Sequence, residues 1–173
     1  RLCRDWSSDV CSSDLAGLLT SVNEDYGRIS MHGVRESLLD AQAAGFGLPL
    51  YKVKLSAQSS NAEYETAMAA VLADFRRQGI AHVAFSDLFL ADIRRYREAQ
   101  LERAGMNGVF PLWLRPTPAL AREFLELGFR AILCCVDGET LGPGFAGREY
   151  DAALLAELPD RKSTRLNSSH GII

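Results

Sequence analysis

The period of the hydrophobic positions changes several times along this chain, and each change marks an element. Ala16 to Val22 is a short apolar run that reads as a buried strand, and the polar stretch Asn23 to Met31, with Gly27 as its turn residue, reads as a loop. Val34, Leu38, Leu39, Ala41 and Ala43 fit a helix loosely over about His32 to Ala44, with Gly45 and Gly47 as its stop. Leu50 to Leu55 alternates with the period of a strand. Asn61 to Gln78 carries the clearest helical pattern, with Tyr64, Met68, Val71, Leu72 and Phe75 at spacings of three and four and Gly79 closing it. The expected order then continues with a strand at Ala81 to Phe85, a helix at Leu88 to Arg103 stopped by Gly105 and Gly108, and a strand at Val109 to Trp113. A helix over Ala119 to Leu127 follows Pro116 and Pro118, then a strand at Arg130 to Val136, a Gly-rich loop from Gly138 to Gly147, and a last helix from near Asp151.

The first three strands are each separated by a helix and repeat at roughly 32 residues, the spacing of right-handed βαβ units. The expected class is therefore α/β, a mainly parallel sheet with helices on both faces. With 47% hydrophobic and 24% charged residues the chain belongs with soluble globular proteins and not with disordered ones. A formal charge of -3 excludes a broad basic footprint, so nucleic acid is not an expected partner. No apolar run approaches the roughly 20 residues that span a bilayer, so a membrane is not expected either.

The two ends read differently from the interior. Trp6 to Asp14 can be spelt tgg-agt-tca-gac-gtg-tgc-tct-tcc-gat-c, and the reverse complement of that string translates as Asp160 to Ser168. The text resembles a common sequencing-library adapter. Residues 1–15 and 160–173 are accordingly expected to be foreign to the gene, leaving a nucleotide-binding part at 16–108 and a substrate-side part at 109–159. Cys3 and Cys11 fall in the leader, and the adjacent Cys134 and Cys135, which on a strand would point to opposite faces and so share no disulfide or metal, are expected to be buried structural thiols in a reducing cytoplasm, with a reactive thiol the alternative.

Several residues can carry chemistry, each with a plainer alternative. His32 and Arg35 stand where a helix begins, suited to an anion or equally to a cap with a surface ion pair. Ser86 and Asp87 end a strand, where α/β folds present polar groups to ligands, but both residue types also cap helices. Arg94, Arg95 and Arg97 crowd one helix and form either a solvated face or, if one turns to the sheet edge, a partner for phosphates. Trp113 with Arg115, and Gly147 with Arg148, suggest a stacking clamp, with Trp113 as plain core the alternative. His82 reads as a hydrogen-bonded structural histidine. The interior contains no phosphate-cradling loop, zinc-spaced Cys/His set, nucleophile elbow or metalloprotease helix.

Taken in order, Leu18-Leu19-Thr20-Ser21-Val22-Asn23, Ser30-Met31-His32-Gly33-Val34-Arg35, Glu63-Tyr64-Glu65, Phe85-Ser86-Asp87-Leu88-Phe89-Leu90, Phe110-Pro111-Leu112-Trp113 and Ala146-Gly147-Arg148 resemble bacterial members of the diphthine-ammonia ligase family. That family lies in the adenine nucleotide alpha hydrolase superfamily, beside the N-type ATP pyrophosphatases. The resemblance implies a HUP-like, Rossmann-like sheet whose first strand and Ser-Gly-Gly-Lys-Asp-Ser loop should precede Ala16, and a Glu-Asn/Gly-Gly-Glu-Phe segment that should follow Pro159. In the family's sheet order that first strand lies between the strands near 17 and 81, so its loss is expected to weaken the fold and silence ATP hydrolysis. Ser86 stands where relatives usually have glycine, and Leu114 and Pro116 replace a more usual Gly and Asp around Arg115.

By resemblance the parent enzyme binds ATP with Mg²⁺, adenylates a carboxylate, releases pyrophosphate and lets ammonia displace AMP to form an amide. Leu18, Leu19 and Thr20 are then expected to hold the adenine through their backbone. His32, Ser86 and Asp87 are placed near the nucleotide, and Arg35, Arg95, Arg115 and Arg148 on the side of a carboxylate-bearing acceptor of open identity. A non-catalytic nucleotide-binding or regulatory module of the same fold is the alternative.

Overall fold

A computed structural model describes residues 15–30, 33–138 and 141–158 of the chain. It is a mixed α/β structure in which the described residues fall into two compact units. One unit runs to Phe85 and resumes over Ala91–Pro111; the other comprises Ser86–Leu90 and the residues from Leu112 on.

In the first unit, β1 (Leu18–Asn23) is flanked by the antiparallel two-residue β2 (Arg28–Ile29) on one side and the parallel β3 (Leu50–Leu55) on the other. Leu18 faces Leu50 and Asn23 faces Leu55, so all six residues of β1 are in register with β3. The segment read as a loop therefore contains a strand. Its hairpin also delays the next helix: Arg28 bridges Arg35, the Ile29 amide bonds the Val34 carbonyl, and Arg35 itself is extended. Helix α1 (Glu36–Phe46) thus starts four residues later than the apolar spacing predicts, and ends at Gly47, whose φ of 68° is left-handed backbone that glycine adopts without a steric penalty.

Helix α2 (Asn61–Arg77) opens on a reciprocal cap, in which the Glu63 amide donates to Ser60 Oγ at 3.3 Å and the Ser60 amide donates to Glu63 Oε2 at 2.7 Å. Its apolar face supplies Leu72 and Phe75 to the core of the unit, joined by Leu101 from α3 (Ala91–Arg103) and by Met106. Leu19 and Tyr51 from β1 and β3, and Val83 from β4 (His82–Ala84), pack against this same cluster, so one apolar bed underlies strands of both sheets. Tyr51 meets Phe75 edge-on at 4.7 Å.

The second sheet pairs β4 in parallel with β5 (Asn107–Val109), setting Val83 opposite Gly108. The predicted strand at Val109 to Trp113 is thus displaced toward the N-terminus, and Gly108 lies inside the strand instead of ending the unit. A Cβ at Gly108 would come within 2.8 Å of the Phe110 ring and 3.3 Å of Leu101, so only glycine admits both neighbours. His82 is exposed at the start of β4, where a hydrogen-bonded structural histidine was expected. Among the described residues β1 and β4 are not paired with each other.

In the second unit, α4 (Thr117–Glu126) begins after Pro116 with Pro118 in its first turn. Phe124 stacks on Phe129 at 5.2 Å and meets Tyr150 edge-on at 5.7 Å, while Leu154 of α5 (Ala152–Glu157) is fully buried. Asp151 caps α5 by accepting the Leu154 amide at 2.7 Å. The strand expected at Arg130 to Val136 is reduced to a single bridge, Ile132 to Glu149, and Ile132 is 64% exposed. With no described ladder beyond that bridge, the apolar run has no sheet to enter. Cys134 and Cys135 are accordingly exposed and free, which overturns their expected burial.

Candidate functional site

In the first unit both parallel strand pairs deliver their C-terminal ends to loops, the side from which α/β folds usually address ligands. The Leu18 amide bonds the Pro49 carbonyl at 2.8 Å, and in a parallel ladder alternate residues face alternate neighbours. The amide and carbonyl of Leu19 therefore point to the edge opposite β3, where β2 is paired only with Val22 and Asn23. Leu18 and Leu19 are half-buried and Thr20 is buried. Arg35 is exposed at the N-cap of α1 with no side-chain cap bond, and His32 lies outside the described residues.

The arginine-rich helix α3 divides its charges by face. Arg95, expected on the substrate side, is 76% exposed and pairs with Asp92, itself in solvent. Arg94 and Arg97 turn the other way. The Arg97 guanidinium lies 4.4 Å from the centre of the Phe85 ring and that of Arg94 lies 4.5 Å from the centre of Phe110, while the two rings stack on each other at 5.4 Å. Phe85 and Phe110 are the residues directly after β4 and β5, so this double stack sits at the C-terminal end of the parallel pair. Arg94 Nε also bonds Glu98 at 2.7 Å. Sequence reasoning missed the assembly, yet a signal was present: residues three apart on a helix share a face, which groups Arg94 with Arg97 and leaves Arg95 out.

The Glu63-Tyr64-Glu65 run has structural work to do. Glu63 closes the α2 cap, and Glu65 accepts from the Tyr96 hydroxyl at 3.0 Å and from Asn61 at 2.9 Å, tying α2 to α3. The Tyr96 bond, followed by one from Gln100, holds the Glu65 carboxyl below the usual carboxylate range. Burial pushes the Tyr64 phenol up, partly opposed by Arg97.

In the second unit Asp87 is almost fully buried and Ser86 half-buried. Because α3 begins only at Ala91, neither stands at its N-cap position. The Leu88 carbonyl accepts the Leu114 amide at 2.7 Å, and Leu114 takes a φ of 58° with its side chain 70% exposed. Arg115 bonds Glu123 of α4 at 2.6 Å. Arg148 forms a two-pronged pair with Glu157 at 2.6 and 2.8 Å, with its guanidinium 5.2 Å from the centre of the Phe145 ring. That pairing holds the Glu157 carboxyl below its ordinary range and the guanidinium above its own. Trp113 is half-buried beside them in sequence.

Among the described residues no group of three or more His, Cys, Asp or Glu side chains forms a metal site, and no helix is long and apolar enough to cross a membrane. No protein-family model matches the chain, and no curated protein matches it either.

Proposed function

We propose that the chain is a segment of a HUP-like nucleotide-binding domain from an ATP-dependent, amide-forming ligase. The observation that carries the binding half of this reading is the pair of arginines stacked on Phe85 and Phe110 at the ends of two parallel strands. Such a stack gathers positive charge at the strand ends, which a nucleotide's phosphates require. The backbone of Leu19 adds a donor and an acceptor on one residue at an edge that β2 leaves uncovered, suited to the hydrogen-bonding edge of adenine. The described residues offer no carboxylate cage, so Mg²⁺ belongs with the triphosphate, whose oxygens and waters supply most of its shell.

The ligase half rests on the ordered resemblance. A carboxylate accepts ammonia poorly until its oxygen becomes part of a good leaving group, and adenylation supplies one. The test of the binding half is titration of the full chain with Mg²⁺ and a fluorescent ATP analogue. Saturable binding that weakens about tenfold, a loss of roughly 1.4 kcal/mol, in Arg94→Ala and in Arg97→Ala is expected. Affinity unchanged from the parent chain in both variants, or no saturable binding, refutes it.

The alternative reading is nucleotide binding without turnover on the same fold, which a gene sequence upstream of Ala16 lacking a phosphate-cradling Gly-rich loop would favour. Carboxylate-dependent release of pyrophosphate, assayed on the parent protein with its native ends restored, separates the two, because only the ligase produces it.

A further inference from the structure

We propose that Cys134 and Cys135 form a bidentate dithiol site for trivalent arsenicals that carry one organic substituent. Both thiols are exposed and neither is in a disulfide. Leu133 is the last residue before them to exchange backbone bonds, with Arg148 and Gly147, and the pair itself lies outside any strand. The alternation that sends neighbouring strand side chains to opposite faces therefore does not constrain it. Cys134 donates only a long bond, 3.5 Å, to the Ile132 carbonyl, and a thiol is a weak donor.

Direct oxidation of the pair is disfavoured by geometry. Consecutive Cα atoms lie about 3.8 Å apart across a trans peptide, short of the roughly 4.4 Å at which ordinary disulfides begin. A soft atom inserted between the two sulfurs enlarges the ring and relieves that strain. With an arsenoxide, two arsenic–sulfur bonds form, the arsenic–oxygen bond breaks and both thiol protons leave with that oxygen as water. Nothing is oxidised or reduced, so no further reagent is needed. No third His, Cys, Asp or Glu gathers with the pair among the described residues, which favours a centre satisfied by two sulfurs over a tetrahedral zinc ion.

The probe is phenylarsine oxide, titrated into the full chain carrying Cys3→Ser and Cys11→Ser so that only this pair reacts. Two thiols should disappear for each arsenical bound. Adding Cys134→Ser or Cys135→Ser should weaken binding at least about tenfold, because the second sulfur no longer acts at high effective concentration. Retention of both thiols at saturating arsenical, or a single-thiol variant that binds as tightly as the dithiol chain, overturns the proposal. The thiol count on the dithiol chain alone decides the first of these whatever the variants do.

Discussion

Lys52 joins β3 to α1, and replacing it with methionine tests how much that junction contributes. Its ammonium lies 2.8 Å from Glu36 Oε1 and 2.5 Å from Asp40 Oδ1, with 20% of the lysine side chain exposed against 33% for Glu36 and 54% for Asp40. Methionine keeps most of the apolar stem and removes the charge. Half-solvated pairs of this kind are worth about 0.5 kcal/mol each after screening, so the two together contribute about 1 kcal/mol. Their loss also leaves Glu36 and Asp40 facing each other four residues apart, adding about 0.2–0.5 kcal/mol of repulsion. Lys52→Met should therefore destabilise the chain by about 1–1.5 kcal/mol in urea unfolding at neutral pH and low salt, and by clearly less at molar salt. The bonds to Asp40 and then Glu36 raise the lysine above its ordinary value despite burial. The contribution is thus fully present below the ordinary lysine range and is lost only as pH climbs through the raised folded value. A variant as stable as the parent at neutral pH, or a deficit unchanged by both salt and alkaline titration, would show that the ion pairs are not what joins these elements.

Three further perturbations follow from local geometry. Leu114 holds a left-handed φ of 58° with its side chain in solvent, so Leu114→Gly should be more stable than Leu114→Ala by about 0.5–1 kcal/mol, the reverse of the usual order. Denaturation of the two variants side by side settles the sign. Ser60→Ala removes the acceptor of the α2 cap and should cost about 1 kcal/mol, visible as earlier amide exchange in the first turn of that helix; unchanged exchange there would contradict the cap. Phe75→Ala empties the centre of the first unit's core and should cost about 3–5 kcal/mol, enough to abolish a cooperative transition in a marginal fold.

The elements that the sequence revealed best are those whose signal is local. Leu50–Leu55 and the start of Asn61–Arg77 coincide with their predicted bounds, because strict alternation and apolar positions at spacings of three and four encode strand and helix within a few residues. The last helix begins beside Asp151, also as predicted. Failures cluster where a residue answers to distant neighbours. Gly108 looked like a stop and is instead the strand residue that lets Phe110 and Leu101 approach. Arg130 to Val136 had a strand's composition but only one bridging partner among the described residues, and so its two thiols stand in solvent.

At the candidate site, the arginines of α3 were visible in the sequence and their division of labour was not. Composition and periodicity by themselves determined that this is a mixed α/β chain with a strongly helical centre and no broad basic surface, since hydrophobic period and net charge are properties of the string. Tertiary structure alone decided which charges meet which rings. Whether Arg95 or Arg97 reaches a phenylalanine depends on how α3 is rotated against the ends of β4 and β5, and that rotation is fixed by Leu101 and Met106 packing against Leu72 and Phe75, contacts between residues far apart in the chain.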